Sequence, residues 1–189
     1  MKNEKTRTIA AVGIFTAIVI VLQLLGSFIR FGTFSISLVL IPIVVGAALY
    51  GPYAGAWLGF VFSVVVLASG DAAPFLAVSV FGTVLTVILK GTLAGFCSGL
   101  VYKTFTKKKT LAAILAAITC PVVNTGIFIL GCFAFFMETI SGWSNALGFA
   151  NTGSYIIFGL IGGNFLFEVL TNIILSPVIV RVINMGRNQ

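Results

Sequence analysis

The chain has 189 residues, of which 59% are hydrophobic and 8% charged, with a net charge of +7 and no histidine; its mean hydropathy is +1.18. A water-facing surface needs about a quarter charged residues, so this inventory excludes a soluble enzyme and turns most of the apolar surface toward lipid. The basic residues sit in short clusters between apolar runs, which excludes nucleic-acid binding, and Cys97, Cys120 and Cys132 lie inside apolar runs without C-x-x-C spacing, as buried inert thiols and no metal site.

Cutting the chain at polar and turn-forming clusters predicts an all-α membrane protein: six transmembrane helices in one bundle, a single domain over residues 1–189. The first helix, about 8–25, follows a basic start. Without a small-x-small cleavage site it reads as a retained membrane helix, not a signal peptide. The second, about 35–50, is short for a span and holds Pro42, which favours a kink. The third, about 53–68, follows the tight Gly51-Pro52 link. The fourth covers about 75–102, the fifth 111–137 and the sixth 155–183. Pro121 lies inside the fifth.

Basic residues near helix ends give the orientation. With the N-terminus in the cytoplasm, Lys2, Lys5, Arg7, Lys103, Lys107, Lys108, Lys109, Arg181 and Arg187 all fall inside. Arg30 lies in an outside loop and Lys90 within the fourth helix. Both termini are expected in the cytoplasm, and the loops at 26–34, 69–74 and 138–154 outside. No internal repeat of the inverted-topology kind pairs the two halves.

Ionisable groups inside apolar segments are costly and mark function. Asn164, Glu168 and Asn172 form one stripe at i, i+4 and i+8 of the sixth helix. That stripe serves either a ligand or hydrogen bonds between helices. Lys90 reaches the inner interface along its stem, pairs with Glu168, or meets a ligand. Asn124, near Pro121, needs a partner for its buried amide. The outside loops add Ser69, Asp71 and Pro74, with Phe75 next, then Arg30 between aromatics, and Glu138, Trp143, Asn145, Asn151 and Tyr155. Trp143 is either a membrane-belt residue or a stacking platform for a ring. Arg30 is either a headgroup contact or a ligand contact.

Small residues recur at four-residue spacing: Gly13 and Ala17 with Ala10 on the first helix, Gly55 and Gly59 on the third, and Gly91, Gly95 and Gly99 on the fourth. They permit close helix contact, within the chain or with another membrane protein. There is no nucleophile–base pair and no phosphate loop, so no catalytic residue is assigned and no enzyme activity is expected.

These motifs, in order, resemble the substrate-binding membrane subunits (S components) of energy-coupling factor (ECF) vitamin transporters. They are the small-residue run TIAAVGIFTAIVIVLQ, the junction ALYGPYAGAWLGF, the loop SGDAAPF, which is similar to the G-D-x-x-P-F of riboflavin-type members, the run LKGTLAGFCSGLVY, and GGNFLFE, whose Asn164 matches a family asparagine. The resemblance implies a prokaryotic plasma-membrane protein. It would capture a vitamin at its outer face and take it up with a membrane coupling subunit and two cytoplasmic ATPases. Substrate-binding residues are then expected at Arg30, Asp71, Phe75, Asn124, Glu138, Trp143, Asn164 and Glu168. Ala10, Gly13 and Ala17 would dock the coupling subunit, and the loop after the first helix would act as a lid. No cofactor, metal or nucleic acid is implied.

Glu168 stands near the position where riboflavin-type members carry a lysine, and the loop with Trp143 is unlike theirs. Riboflavin, folate, queuosine-type bases and pantothenate all stay open, and a bare anion such as pantothenate would need Arg30 or Lys90 to offset the carboxylates. The competing readings are a self-sufficient ion-driven secondary transporter of a small metabolite, and a membrane-embedded enzyme or scaffold.

Overall fold

The computed structural model describes the backbone of residues 2–28, 30–31, 34–35 and 38–187, and their side chains except at 2–4, 28, 30–31, 34–35, 163–164, 176–180 and 182–187. The described chain is helical apart from one two-residue antiparallel ladder, β1 (Arg30–Phe31) with β2 (Phe34–Ser35), in which Arg30 faces Ser35 in register. The helices are α1 (Lys2–Phe28), α2 (Leu40–Tyr50), α3 (Pro52–Ala68), α4 (Ala73–Leu76), α5 (Val80–Thr104), α6 (Lys109–Gly131), α7 (Met137–Ala146), α8 (Thr152–Ser154) and α9 (Gly162–Arg187). π-helical turns at Cys132–Phe136 and Tyr155–Ile161 join α6 to α7 and α8 to α9.

Among the described residues three stretches are long and apolar enough to cross a membrane: Lys5–Ser27, Val80–Thr104 and Lys109–Ala146. Thr152–Ile161 with Phe165–Leu175, bent by 40°, makes a fourth if taken as one broken span. The 11 residues of α2 and 17 of α3 reach about 17 and about 26 Å at helical rise, short of a hydrocarbon core of about 30 Å.

Several boundaries differ from those expected. Pro42 is the third residue of α2. Its missing N–H is one the first turn leaves unpaired anyway, so the expected kink has no cause. The fourth expected helix, from residue 75, divides: Phe75 belongs to α4, and α5 starts only at Val80. Ser79 is extended there (φ −152°, ψ 107°) and caps α5, its Oγ accepting from the Gly82 amide at 3.1 Å. The expected loop at 138–154 is half helix. Its polar residues read as a break, yet Ile140 and Ser144, one turn apart on α7, are both fully buried.

Small residues carry the packing between α3 and α5. A Cβ added at Gly55 would collide with the Gly95 carbonyl, and one at Gly59 with the Gly91 carbonyl. Beside this seam the Ser63 hydroxyl donates to the Val87 carbonyl at 2.7 Å. At Gly51, φ is +95°, a conformation glycine adopts freely, and it lets α3 start at Pro52 straight after α2. One buried cluster runs through α1, α2, α3, α5 and α6, including Val19, Ile43, Leu58 and Ala116. A second lies about the end of α6, α7 and the start of α9, with Cys132, Phe136, Ile140 and Tyr155 at its centre.

Candidate functional site

Phe75 is the hub of the second cluster. Its ring meets Phe128, Phe136 and Trp143 edge to face, with centroids 5.5, 5.1 and 5.5 Å away. This is the geometry that aromatic quadrupoles favour. The backbone arranges it twice over. Pro74, the second residue of α4, sets Phe75 in its first turn. The π-helical turn inserts an extra residue ahead of α7 and so re-aims the side chains that follow: Phe136 turns to Phe75, and its neighbour Phe135 to Phe81 at 6.2 Å.

A cation sits beside this aromatic wall. Lys90 Nζ is 5.3 Å from the centre of the Phe128 ring and 6.0 Å from that of Phe62, within cation–π reach. Phe128 therefore touches both the ammonium and the Phe75 hub. Lys90 and Glu168 attract one another electrostatically, but among the described residues neither enters an ion pair within 4.0 Å. The side chain of Glu168 is buried, at 9% exposure.

The same region holds buried polar atoms without partners among the described residues. Asn124 Oδ1 on α6 is one, a helical turn before Phe128, and Thr86 Oγ1 on α5 is another, a turn before Lys90. Asn172 is fully buried; its Nδ2 donates to the Glu168 carbonyl at 2.8 Å, and its Oδ1 is left unpaired. Among the described residues, the hydrogen bond that Asn172 makes stays within α9. Unpaired buried acceptors cost free energy, and native proteins keep them where something else completes them.

Phe75 and Trp143 meet directly, Lys90 joins them through Phe128, and Asn124 lies on the face of α6 that carries Phe128. Asp71 is engaged elsewhere: its Oδ2 accepts from Gln23 Nε2 at 2.9 Å, from Ser69 Oγ at 3.0 Å and from Ser27 Oγ. Glu138 is exposed in the first turn of α7. The side chains of Arg30, in β1, and Asn164, in α9, lie outside the described residues. Sequence reasoning missed Thr86, Phe128, Phe136, Gln23 and Ser27. Only Gln23 carried a signal, as the lone amide in the first apolar run.

Ala10, Gly13 and Ala17 form an exposed strip on α1, and a Cβ at Gly13 would have open space within 4 Å. An apolar groove of about 330 Å³ runs between α1 and α2 beside Leu175; it offers no polar group to orient a solute.

Lipid-facing helices around an aromatic wall, a half-buried cation and hydrogen-bonding atoms unpaired among the described residues suit a membrane-embedded solute carrier. The chain belongs to the substrate-specific components of ECF transporters, whose family model matches residues 7–181. It is similar to the pantothenic acid transporter PanT of Lactococcus lactis subsp. cremoris (strain MG1363), with 29% identity over 207 aligned positions that cover 100% of both chains. No solved structure matches it. The protein is thus a multi-pass membrane component of ECF-type vitamin uptake, and its family is one of transporter components, not of enzymes.

Proposed function

We propose that the protein captures pantothenate with high affinity at the outer face of the membrane and passes it inward together with a membrane coupling subunit and two ATPases. ATP hydrolysis belongs to those partners. The bundle crosses the membrane six times as a single domain with both termini inside, α2 and α3 being short spans.

The observation that carries the substrate is Lys90. An ammonium held against Phe128 and Phe62 without an ion pair among the described residues is a ready partner for a carboxylate. Pantothenate has a carboxylate at one end, an amide N–H in the middle and hydroxyls at the other. Asn124 Oδ1 and Thr86 Oγ1, both buried and unpaired among the described residues, suit the N–H and a hydroxyl. Phe75 and Trp143 wall the apolar part. Glu168 balances the charge of Lys90, and Arg30, Asn164 and Glu138 complete the outer rim. The similarity to a pantothenic acid transporter supports the same substrate over the ring compounds. Ala10, Gly13 and Ala17 dock the coupling subunit.

The test is a thermal-shift screen of the purified protein against water-soluble vitamins. A ligand that binds the folded state alone raises apparent stability by about 2.7 kcal/mol at a hundredfold excess over Kd. Pantothenate alone is expected to raise Tm. A shift with riboflavin or folate and none with pantothenate would overturn the substrate assignment.

A further inference from the structure

Asp71 stands where a ligand contact was expected, in the turn before Phe75, yet its Oδ2 is surrounded by donors from the protein. Gln23 Nε2 and Ser69 Oγ reach it at 2.9 and 3.0 Å, and Ser27 Oγ also donates to it. These donors come from different parts of the fold. Gln23 and Ser27 stand one turn apart on one face of α1, and the Ser27 hydroxyl lies 2.9 Å from the Gln23 carbonyl. Ser69 is the C-cap of α3. Gly70, at φ +84°, turns the chain back so that Asp71 faces α1, a conformation that disfavours a side chain. The Ala73 amide then bonds to the Gly70 carbonyl at 3.0 Å and leads into α4, where Phe75 stands four residues after Asp71.

What Asp71 holds matters because α1 is loosely packed. Among its described side chains only Val19 and Gln23 are buried, and Ile9, Ile14 and Val21 are more than half exposed. A further directional link runs from Trp57 Nε1 to Thr16 Oγ1 at 3.1 Å, nearer the middle of the helix. Outside its few packing contacts, α1 is fixed at its outer end by the carboxylate of Asp71. That carboxylate is also built into the turn that sets Phe75.

We propose that Asp71 is a positioning residue: a clasp that ties the outer end of α1 to α4, so that the helix presenting Ala10, Gly13 and Ala17 and the hub of the ligand wall move as one body. This rests on the functional reading above for its ligand, but not for its geometry. Asp71 acts through Gln23 and Ser27, and the ligand touches none of the three. Displacing α1 shifts Phe75, and ligand held on Phe75 holds α1 in turn.

The experiment compares Asp71→Ala, Gln23→Ala/Ser27→Ala and the triple variant, with radiolabelled pantothenate as probe. Partners acting as a unit do not add, so each variant is expected to release pantothenate roughly tenfold faster, the loss of a charge-assisted bond, and the triple variant no faster than either. An Asp71→Ala effect that persists in full in the Gln23→Ala/Ser27→Ala background means a direct ligand contact and overturns the proposal. So does wild-type release in all three. If Asp71→Ala does not fold, Asp71→Asn takes its place in the cycle.

Hydrogen exchange of the ligand-free protein reads the same clasp without a ligand. Both variants should speed exchange at amides 22–27 and 75–76 together. Speeding at α1 alone would show that the clasp does not reach α4 and would overturn it. A wild-type protein that ignores pantothenate would remove the substrate assignment, and this second measurement would still decide the clasp.

Discussion

The Lys90 ammonium and the Phe128 ring lie 5.3 Å apart, and this contact joins a charge to a wall that is otherwise apolar. A lysine stem crossing an apolar span can run to the interface, where water solvates its charge. Here the ammonium stays among rings, and Glu168, the strongest of its electrostatic partners, is outside ion-pair distance. Replacing Lys90 by Gln removes the charge and leaves a shorter, polar side chain. A charge-assisted hydrogen bond is worth about 1.5–3 kcal/mol, so Lys90→Gln should weaken pantothenate binding by roughly ten- to a hundredfold. Pantothenol, with an alcohol in place of the carboxylate, should bind the variant and the wild type within about threefold. Isothermal titration with both ligands reads the difference.

Glu168 makes the complementary case. In its ionised form its carboxylate attracts Lys90, and in the proposed site it would compete with the carboxylate of a ligand. It also offers acceptor atoms to ligand hydroxyls, so the affinity of a Glu168→Gln variant alone mixes two effects. The ratio of affinities for pantothenate and pantothenol separates them, because both ligands carry the same hydroxyls at the far end. Removing the competing charge should raise that ratio by roughly three- to tenfold. An unchanged ratio would mean that Glu168 does not face the carboxylate end, and would leave it a place beside Asn172 in the interior of α9.

Much of this arrangement was legible in the sequence, for identifiable reasons. The apolar runs show because lipid tolerates so few polar residues. The short α2–α3 link shows because Gly51-Pro52 allows little else. Phe75 and Trp143 were singled out as aromatics at a boundary. Their direct meeting was not legible, because it depends on the π-helical turn at Cys132–Phe136, where the backbone departs from the 3.6-residue period on which face assignments rest. Phe128 and Phe136 were hidden for another reason: in a chain with 18 phenylalanines, two more inside an apolar run carry no mark. Asp71 was visible as a charge in an unusual turn. Its partners Gln23 and Ser27 lie 48 and 44 residues away in sequence, and no local pattern joins them.

The glycines give the sharpest separation between what spacing says and what packing does. Gly13-x-x-x-Ala17 on α1 and Gly55-x-x-x-Gly59 on α3 read alike in sequence. In the fold, a Cβ at Gly59 would run into the Gly91 backbone, whereas one at Gly13 meets nothing within 4 Å. A backbone carbonyl cannot swing aside as a flexible side chain does, so Gly59→Val must force α3 and α5 apart. Overpacking of this kind costs about 1–3 kcal/mol or more, and the variant should give little folded protein and a clearly lowered Tm. Gly13→Leu with Ala17→Leu adds bulk to an open strip. It should leave Tm within a few degrees and pantothenate binding near wild type, while abolishing uptake in cells that carry the coupling subunit and the ATPases. Measuring binding on purified protein and uptake in cells, side by side, separates the two faces. Loss of binding in a folded Gly13→Leu/Ala17→Leu protein, or uptake that persists, would show that this strip of α1 docks no partner.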